Sequence, residues 1–280
     1  MYITEETMYT EYCSRLPFVF NTRRRFEHFG RNNELTMISQ FPMIESSKSQ
    51  TQTQIRNTLL EKLSAEERST LFPSMELIEF STKETVYSPR QPLNHAYFPD
   101  TCVMSMITVL DDGSEIEAAT VGNEGMIGIP LLLGANQMPS KVVCQISGTA
   151  WRISAEELLK AIEEHPALLS SLKKYAQALF DLLAQSTACN RLHTIEQRCA
   201  RWLLSTHDRI EGDTFFLTHE FLATMLGVRR PGVSLVAKSL QDSGLVSYKH
   251  GKMTVRDRNG LEGVSCECYA AVRDSFGRHN

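Results

Sequence analysis

The stretch from Leu217 to Leu245, LTHEFLATMLGVRRPGVSLVAKSLQDSGL, constrains the fold most, because its apolar residues recur at helical spacing on both sides of a tight turn. Thr218 is a suitable N-cap for the first helix, and Gly227 tolerates the positive φ that a sharp turn requires. Gly244 is suited to end the second helix. The pattern predicts two short amphipathic helices joined at Gly227.

The second of these helices has one apolar and one polar side. Its predicted inner stripe is Val233, Val236, Ala237 and Leu240. Its outer side carries hydrogen-bond donors and positive charge, from Arg229, Arg230, Ser234, Lys238 and Gln241. A positive face that starts at a helix N-terminus is typical of a recognition helix in the DNA major groove. We therefore expect a DNA-binding helix-turn-helix.

Charge is unevenly distributed along the chain. The net charge of the 280 residues is −4, but residues 197–260 contain ten Lys and Arg against six Asp and Glu, which is +4 against −8 for the remainder. A basic module on an acidic body is consistent with docking of that module on phosphates. The charge pattern supports double-stranded DNA as a partner.

Composition limits the class of protein. No apolar run approaches the roughly 18–20 residues of a membrane span, and the first ten residues lack the basic and apolar regions of a signal peptide. Seven widely spaced cysteines, an odd number, favour reduced thiols over a disulfide framework. We expect a cytoplasmic protein with no membrane partner.

The chain divides into four segments by pattern. Residues 1–50 are polar and aperiodic, which predicts a mobile extension. Residues 51–165 contain short β-prone runs broken by Pro and Gly, which predicts a jelly-roll barrel. Residues 166–196 form the longest helical segment, and residues 197–280 contain the helix-turn-helix, a β-hairpin around His250-Gly251 and a final helix that includes Cys266 and Cys268. The predicted class is α+β.

The long helix carries apolar residues at alternating intervals of four and three, namely Leu168, Leu172, Tyr175, Leu179 and Leu182. This is the a and d spacing of a coiled-coil seam. We expect the helix to pair with its copy in a homodimer, the alternative being a single helix packed on its own domain.

The order of barrel, long helix and helix-turn-helix with a β-hairpin wing resembles the Crp/Fnr family of transcription regulators. The resemblance covers about residues 55–260 and is most specific in LTHEFLATMLGVRRPGVSLVAKSLQDSGLVSYKHGKMTV. It implies that Arg230 recognises a guanine through O6 and N7. At two further family positions this chain has Pro231 in place of a frequent Glu and Leu235 in place of a frequent Arg. Beside Arg230, the resemblance implies contacts to DNA from Arg229, Pro231, Ser234, Leu235, Lys238, Lys249, His250 and Lys252. It also implies RNA polymerase as a partner.

The resemblance also covers the family's cyclic-nucleotide-binding module, but the ligand residues differ. Nucleotide-binding members have a Gly-Glu pair followed by an Arg-Ser or Arg-Thr pair, which hold the ribose and the cyclic phosphate. Here Ile129 follows Gly128, and Lys141 is the only cation between Gly134 and Gln145. No guanidinium is present for bidentate phosphate binding. We expect a degenerate pocket with an unknown effector.

Other cofactors find little support in the sequence. Cys266 and Cys268 have no two further ligands near them in the sequence, so we expect reduced thiols, no metal and no cofactor. Two alternatives remain beside a non-enzymatic regulator. One is a true cyclic-nucleotide sensor with an altered pocket, and the other is a cupin-like metalloenzyme, which would need clustered His and Glu ligands in the barrel.

Overall fold

The computed structural model describes residues 54–279 and the side chains of residues 54–277. The predicted extension, residues 1–50, lies outside the described part. Within it, no helix is both long and apolar enough to cross a membrane.

Seven strands form two antiparallel sheets that face each other across the N-terminal core. The strands are β1 (Met75–Phe80), β2 (Thr85–Tyr87), β3 (His95–Pro99), β4 (Val103–Val109), β5 (Glu115–Val121), β6 (Lys141–Ile146) and β7 (Gly148–Ser154). One sheet has the order β1-β7-β3 and the other the order β2-β6-β4-β5. The predicted α+β class and the strand-rich N-terminal domain are confirmed.

The helices cover both ends of the barrel and build the C-terminal part. They are α1 (Thr58–Glu61), α2 (Ala65–Leu71), α3 (Ile129–Leu132), α4 (Ala155–Glu164), α5 (Pro166–Leu192), α6 (Ile195–His207), α7 (His219–Leu226), α8 (Arg230–Asp242), α9 (Arg258–Val264) and α10 (Cys268–His279). Three further strands, β8 (Thr214–Phe216), β9 (Val246–Lys249) and β10 (Lys252–Val255), form a sheet of order β8-β10-β9. We refer to residues 195–264 as the head.

The predicted final helix is wrong as a single element. The chain forms α9 and α10, which are separated where Ser265 adopts an extended conformation with ψ 160°. Because of this break, α10 returns along the long helix α5, and Val272 and Phe276 join the apolar core of the barrel. Ser275 Oγ donates to Asp181 Oδ2 at 2.7 Å, which ties the two helices together.

The predicted dimer seam of α5 is covered by the chain itself. Its five residues, Leu168, Leu172, Tyr175, Leu179 and Leu182, are all at most 5% exposed and lie in one core with the barrel and α10. Tyr175 is held most closely, because its hydroxyl donates to the Met126 carbonyl at 3.3 Å and its ring fills the space beside Gly125, where an added Cβ would overlap it. In this structure the 4-3 spacing reflects packing of α5 against the barrel and α10 of the same chain. These five side chains could contact a second copy only if α5 separated from the barrel and α10.

The head packs directly on the barrel. Ile107 and Val143 of the barrel belong to the same apolar cluster as the inner residues of the head. Arg209, after α6, donates to Glu124 of the barrel from Nε (3.0 Å) and from Nη2 (2.8 Å), and both side chains are largely buried. Gln145 Nε2 also donates to Thr206 Oγ1 at 3.0 Å. A movement of the barrel surface at these contacts will therefore act on the head.

Candidate nucleic-acid interface

The two helices of the head are joined as their end signals indicate. Thr218 Oγ1 accepts from the Phe221 N–H at 3.1 Å, which caps α7. Gly227 ends α7 with φ 61° in the left-handed region, and a Cβ there would lie 2.5 Å from Ile116 Cδ1 of the barrel. Only glycine satisfies both the turn and this close contact.

Helix α8 begins at Arg230, with Arg229 as its N-cap residue. Val233, Ala237 and Leu240 are buried in the head, and Val236 is half-buried, which agrees with the predicted inner stripe. The outer face is exposed at the following predicted contact residues: Arg229, Arg230, Pro231, Leu235 and Lys238. The N-terminus of α8, which is the positive end of the helix dipole, lies among them.

Arg230 is held only loosely. Its Nε lies 3.8 Å from Glu220 Oε2, and the two side chains are 67% and 74% exposed. Exposed pairs of this kind are worth little, so the guanidinium is available for another acceptor. Leu235, at 72% exposure, presents an apolar surface on the same helix that could contact a thymine methyl group.

Ser234 differs from the other predicted contact residues because it has a partner within the head. Its Oγ lies 3.1 Å from Nδ1 of His219, and the His219 ring stacks on Tyr248 at 4.3 Å between centroids. Burial, with a contribution from the charge of Arg230, lowers the pKa of His219. A neutral His219 therefore links α7, α8 and β9, and nothing in the sequence pattern indicated this link.

The wing is a two-residue hairpin between β9 and β10. His250 (φ 52°) and Gly251 (φ 76°) both lie in the left-handed region, as a type I′ turn requires. Lys249, His250 and Lys252 are exposed. The wing is fastened to α8 because Gln241 Oε1 accepts from the Tyr248 N–H at 2.9 Å. The sequence placed Gln241 on the outer side of α8, but it did not indicate that this side chain also holds the wing.

The predicted effector positions are packed or paired. Gly128 has φ 121° and lies so close to Ala96 that a Cβ would be 3.1 Å from the Ala96 Cβ. Ile129, the first residue of α3, is buried at 7% exposure. Lys141 Nζ lies 2.8 Å from Glu115 Oε1 in a cross-sheet ion pair. The structure therefore supplies neither a carboxylate at residue 129 nor an unpaired cation at residue 141.

A buried carboxylate lies between barrel and head and was missed by the sequence reasoning. Glu117 Oε1 accepts from Trp202 Nε1 and from Thr120 Oγ1, both at 2.9 Å, whereas its buried Oε2 has no hydrogen-bond partner among the described residues. Burial raises the pKa of Glu117, although the hydrogen bonds from Thr120 and Trp202 and the charge of Arg201 oppose this. An isolated Glu in a strand gives no sequence signal of such a contact.

A second missed group lies where α5 ends. Cys189 and His193 of this region lie next to Cys266 and Cys268, so the prediction that these two cysteines lack further ligand residues is wrong in space. The two pairs are separated by more than 70 positions, and only the return of α10 along α5 brings them together.

Comparison with known proteins agrees with this architecture. The protein-family model of the cyclic nucleotide-binding domain matches residues 77–165, and that of the Crp-like helix-turn-helix domain matches residues 197–264. The global nitrogen regulator of Synechocystis sp. is 23% identical over 189 residues, which are 64% of this chain and 83% of that protein.

Solved structures have the same fold. TTHB099, a transcriptional regulator of the CRP family from Thermus thermophilus, aligns with a TM-score of 0.55 and 19% identity over 67% of this chain and 96% of its own. The c-di-GMP responsive global regulator CLP of Xanthomonas campestris aligns with a TM-score of 0.56 and 17% identity, over 69% of this chain and 99% of its own. The two domain matches, their order and this shared fold show that the chain is a transcription regulator of the Crp/Fnr family.

Proposed function

We propose that the chain binds DNA as a homodimer at a pseudo-palindromic site, with one recognition helix α8 in each of two successive major grooves. The observation that carries this proposal is the exposed, positively charged N-terminal half of α8, held on a rigid head beside a basic wing. Two such heads related by a two-fold axis fit half-sites about 34 Å apart.

Within this interface the residues divide by role. Arg230 recognises a guanine, because its exposed guanidinium stands at the start of α8 and can donate two parallel hydrogen bonds. Arg229, Lys238, Lys249, His250 and Lys252 contact phosphates, which position the head without specifying sequence. Pro231 and Leu235 donate no side-chain hydrogen bonds to bases, so the preferred site differs from sites of relatives with Glu and Arg there.

The second copy pairs on a different face of α5 from the predicted seam. A parallel stripe at intervals of four and three is exposed along the helix, at Lys173, Gln177, Phe180, Ala184, Thr187 and Arg191. Phe180, at the centre of this stripe, is 53% exposed and is the one large apolar side chain among the six residues. Pairing through this stripe leaves the opposite face of α5 in contact with its own barrel and α10, while the α5 helix of the second copy packs on the exposed face.

Light scattering of the full chain tests the pairing. Phe180→Glu should convert the dimer to a monomer, because it introduces two like charges at the centre of the contact. Leu192→Glu is a matched control on an exposed residue outside the stripe and should leave the mass unchanged. A wild-type monomer, or an unaltered dimer of the Phe180 variant, would contradict the assignment.

The barrel does not use a cyclic nucleotide in the ordinary way. Ile129 is buried where relatives have a ribose acceptor, and the Lys141 ammonium is paired with Glu115. The effector is a different ligand or signal, and its effect reaches the head through contacts such as Arg209–Glu124 and Glu117–Trp202. In this proposal the regulator acts in the cytoplasm, where it binds DNA and contacts RNA polymerase.

The alternative of a cyclic-nucleotide sensor is favoured by the match of residues 77–165 to the cyclic nucleotide-binding domain. Calorimetry with cyclic AMP, cyclic GMP and c-di-GMP separates the two hypotheses. Micromolar binding of any of these would support the alternative. No observation favours a cupin-like enzyme, since the metal-ligating group found among the described residues lies outside the barrel.

Selection of bound fragments from random DNA tests the main proposal. The enriched fragments should contain two inverted half-sites one helical turn apart, each with a guanine at a fixed position. The Arg230→Ala protein, selected in parallel, should lose that guanine and keep the remaining positions. Recovery of fragments without any shared sequence would contradict a sequence-specific regulator.

A further inference from the structure

Four side chains that commonly ligate transition metals meet where the end of α5 faces the start of α10. They are Cys189, His193, Cys266 and Cys268, and one ligand atom of each lies within 4.8 Å of all the others. The Sγ atoms of Cys189 and Cys266 are 3.5 Å apart, and Cys268 Sγ is 3.5 Å from Nδ1 of His193. The three cysteines are at most 3% exposed.

The local structure explains why these four converge. Cys189 and His193 are four residues apart and therefore lie on one face of the last turn of α5. Cys266 and Cys268 flank a single residue at the break between α9 and α10, where the chain passes from the extended Ser265 into the first turn of α10 and the Tyr269 N–H donates to the Cys266 carbonyl at 3.0 Å. Each element supplies two ligands, so the group joins two parts of the chain that are distant in sequence.

The dimensions fit a single tetrahedral ion. For a zinc ion with Zn–S bonds of about 2.3 Å, tetrahedral geometry places neighbouring ligand atoms about 3.5–3.8 Å apart. The two separations of 3.5 Å agree with this. Three thiolates and one imidazole are a frequent ligand set for structural zinc, and they leave no open position for a substrate. Clusters with several irons spread their cysteines over different metal atoms, so the compact group favours a mononuclear site.

The neighbouring residues orient the ligands. His193 Nε2 is 3.3 Å from Glu267 Oε2, so this nitrogen can donate to the carboxylate while Nδ1 keeps its lone pair toward the cysteines. A carboxylate on the far nitrogen of a ligand histidine is a common feature of zinc sites. Gln185 Nε2 donates to Cys268 Sγ at 3.0 Å, a contact that stabilises a thiolate.

Charge supports the same conclusion. Three thiolates, a neutral imidazole and Zn²⁺ carry a net charge of −1. Arg198 is 7% exposed and lies near Cys189 and Cys266; burial lowers its pKa, and its Nη2 donates to the Leu226 carbonyl. Its Nε has no hydrogen-bond partner, and no described carboxylate lies within ion-pair distance of it. A buried cation of this kind requires a negative neighbour, which the metal-thiolate centre would supply.

We propose that Cys189, His193, Cys266 and Cys268 bind one Zn²⁺ that fastens the start of α10 to the end of α5. The ion holds His193, the C-cap residue of α5, immediately before the head begins at Ile195. It therefore fixes the junction through which the barrel and long helix orient the DNA-binding head. Binding needs three deprotonated thiols, whose protons are released to solvent as the ion enters.

Metal analysis of the full-length, untagged protein purified under reducing conditions tests the site. Wild type should contain about one zinc per chain. Cys268→Ala and His193→Ala should lose most of it, whereas Cys199→Ala should retain it, because Cys199 lies in the apolar cluster of the head and is not one of the four converging side chains. Absence of metal from wild type, or full zinc content in both site variants, would overturn the proposal.

A second measurement does not depend on the stability of the variants. Wild-type protein exchanged with Co²⁺ should show thiolate-to-cobalt charge transfer and the visible bands of a tetrahedral ion, and zinc should displace both. His193→Cys should retain the ion and strengthen the charge transfer. An octahedral cobalt spectrum without charge transfer, or a Cys189–Cys266 disulfide found by mass spectrometry in freshly purified protein, would contradict the site.

Discussion

Charged side chains in the head and charged side chains in the barrel differ in what they contact. On the outer face of α8 and at its N-cap, Lys238 and Arg229 are exposed, and the Arg230 guanidinium lies 3.8 Å from Glu220, its nearest charged partner. In the barrel, Lys141 is paired with Glu115, and the effector position of Ile129 is apolar and buried. The cations of the outer face of α8 are therefore exposed, whereas the cation at the predicted effector position is paired within the barrel.

In the function we propose, one fold keeps its DNA site and loses its cyclic-nucleotide site. The helix-turn-helix retains its function as long as α7 and α8 keep their packing and the outer face stays free. The barrel keeps its packing as well, and at the predicted effector positions it has Ile129 in its core and Lys141 in an ion pair with Glu115. Barrel and head are joined by buried contacts such as Arg209–Glu124 and Glu117–Trp202, and we expect substitutions there to have the largest effects.

Arg209→Ala should have the largest effect, because it leaves Glu124 without its partner in a largely buried ion pair. We expect a loss of about 3–5 kcal/mol in the free energy of unfolding, measured by urea denaturation. Arg152→Ala, which breaks the more exposed pair with Glu76, is the control and should cost less than about 1 kcal/mol. Equal losses in both variants would show that barrel and head are not held together by this contact.

Arg230→Ala should weaken binding to the selected site by about 1–3 kcal/mol, since one bidentate contact to guanine is removed. Binding to unrelated DNA should change far less. Lys238→Ala is the matched comparison and should weaken both kinds of binding alike, with a smaller salt dependence. If the two variants behave identically, Arg230 contacts phosphate and not a base.

Glu117→Gln should change the pH dependence of stability. Because the folded protein raises the pKa of Glu117, this residue stabilises the fold at pH values below its ordinary pKa. That contribution is lost as the pH rises through the raised folded pKa, with a slope of at most about 1.4 kcal/mol per pH unit. The glutamine can still accept from Trp202, so the variant should be more stable than wild type at neutral pH. Parallel unfolding profiles from pH 4 to 8 would contradict this.

Gly232→Ala should stabilise the protein by up to about 1 kcal/mol, because alanine is the better helix former. The added methyl group would lie 3.5 Å from Ile195 Cδ1, an ordinary contact distance. Thermal unfolding measures this gain. If DNA affinity falls at the same time, a phosphate approaches the backbone at this position, and unchanged affinity would assign Gly232 to the turn alone.

Lys141→Ala should have the smallest effect, about 0.2–1 kcal/mol in unfolding free energy, because its ion pair with Glu115 is partly exposed. If Lys141 only stabilises the sheet through Glu115, its removal does not change the binding of nucleotides to the barrel. Calorimetry with cyclic AMP should give the same absence of heat for variant and wild type. Nucleotide binding that disappears with Lys141 would identify it as a phosphate ligand.

Local sequence patterns predicted those parts of the fold that local physics determines. Thr218 and Gly227 marked the ends of α7 because capping and positive φ depend on few neighbours. The spacing of Leu168 to Leu182 correctly indicated a helix with one covered face, but it could not distinguish a copy of the chain from α10 as the cover. Apolar periodicity reports burial and does not identify the partner.

The missed site residues depend on contacts distant in sequence. Cys189 and Cys266 are brought together by the break after α9, and no motif spans the 77 positions between them. Glu117 and Trp202 meet for the same reason across the barrel–head contact. By contrast, the sequence alone supports a prediction for Arg230, because its position in the helix-turn-helix motif is fixed by neighbouring residues.

The central claim is that the head binds a specific DNA sequence while the barrel is indifferent to cyclic nucleotides. The most direct measurement is the affinity of the full chain for its selected DNA site, with and without saturating cyclic AMP or cyclic GMP. We expect binding that is much tighter than binding to unrelated DNA and that neither nucleotide changes. Equal affinity for all DNA, or an affinity that rises when a cyclic nucleotide is added, would contradict it.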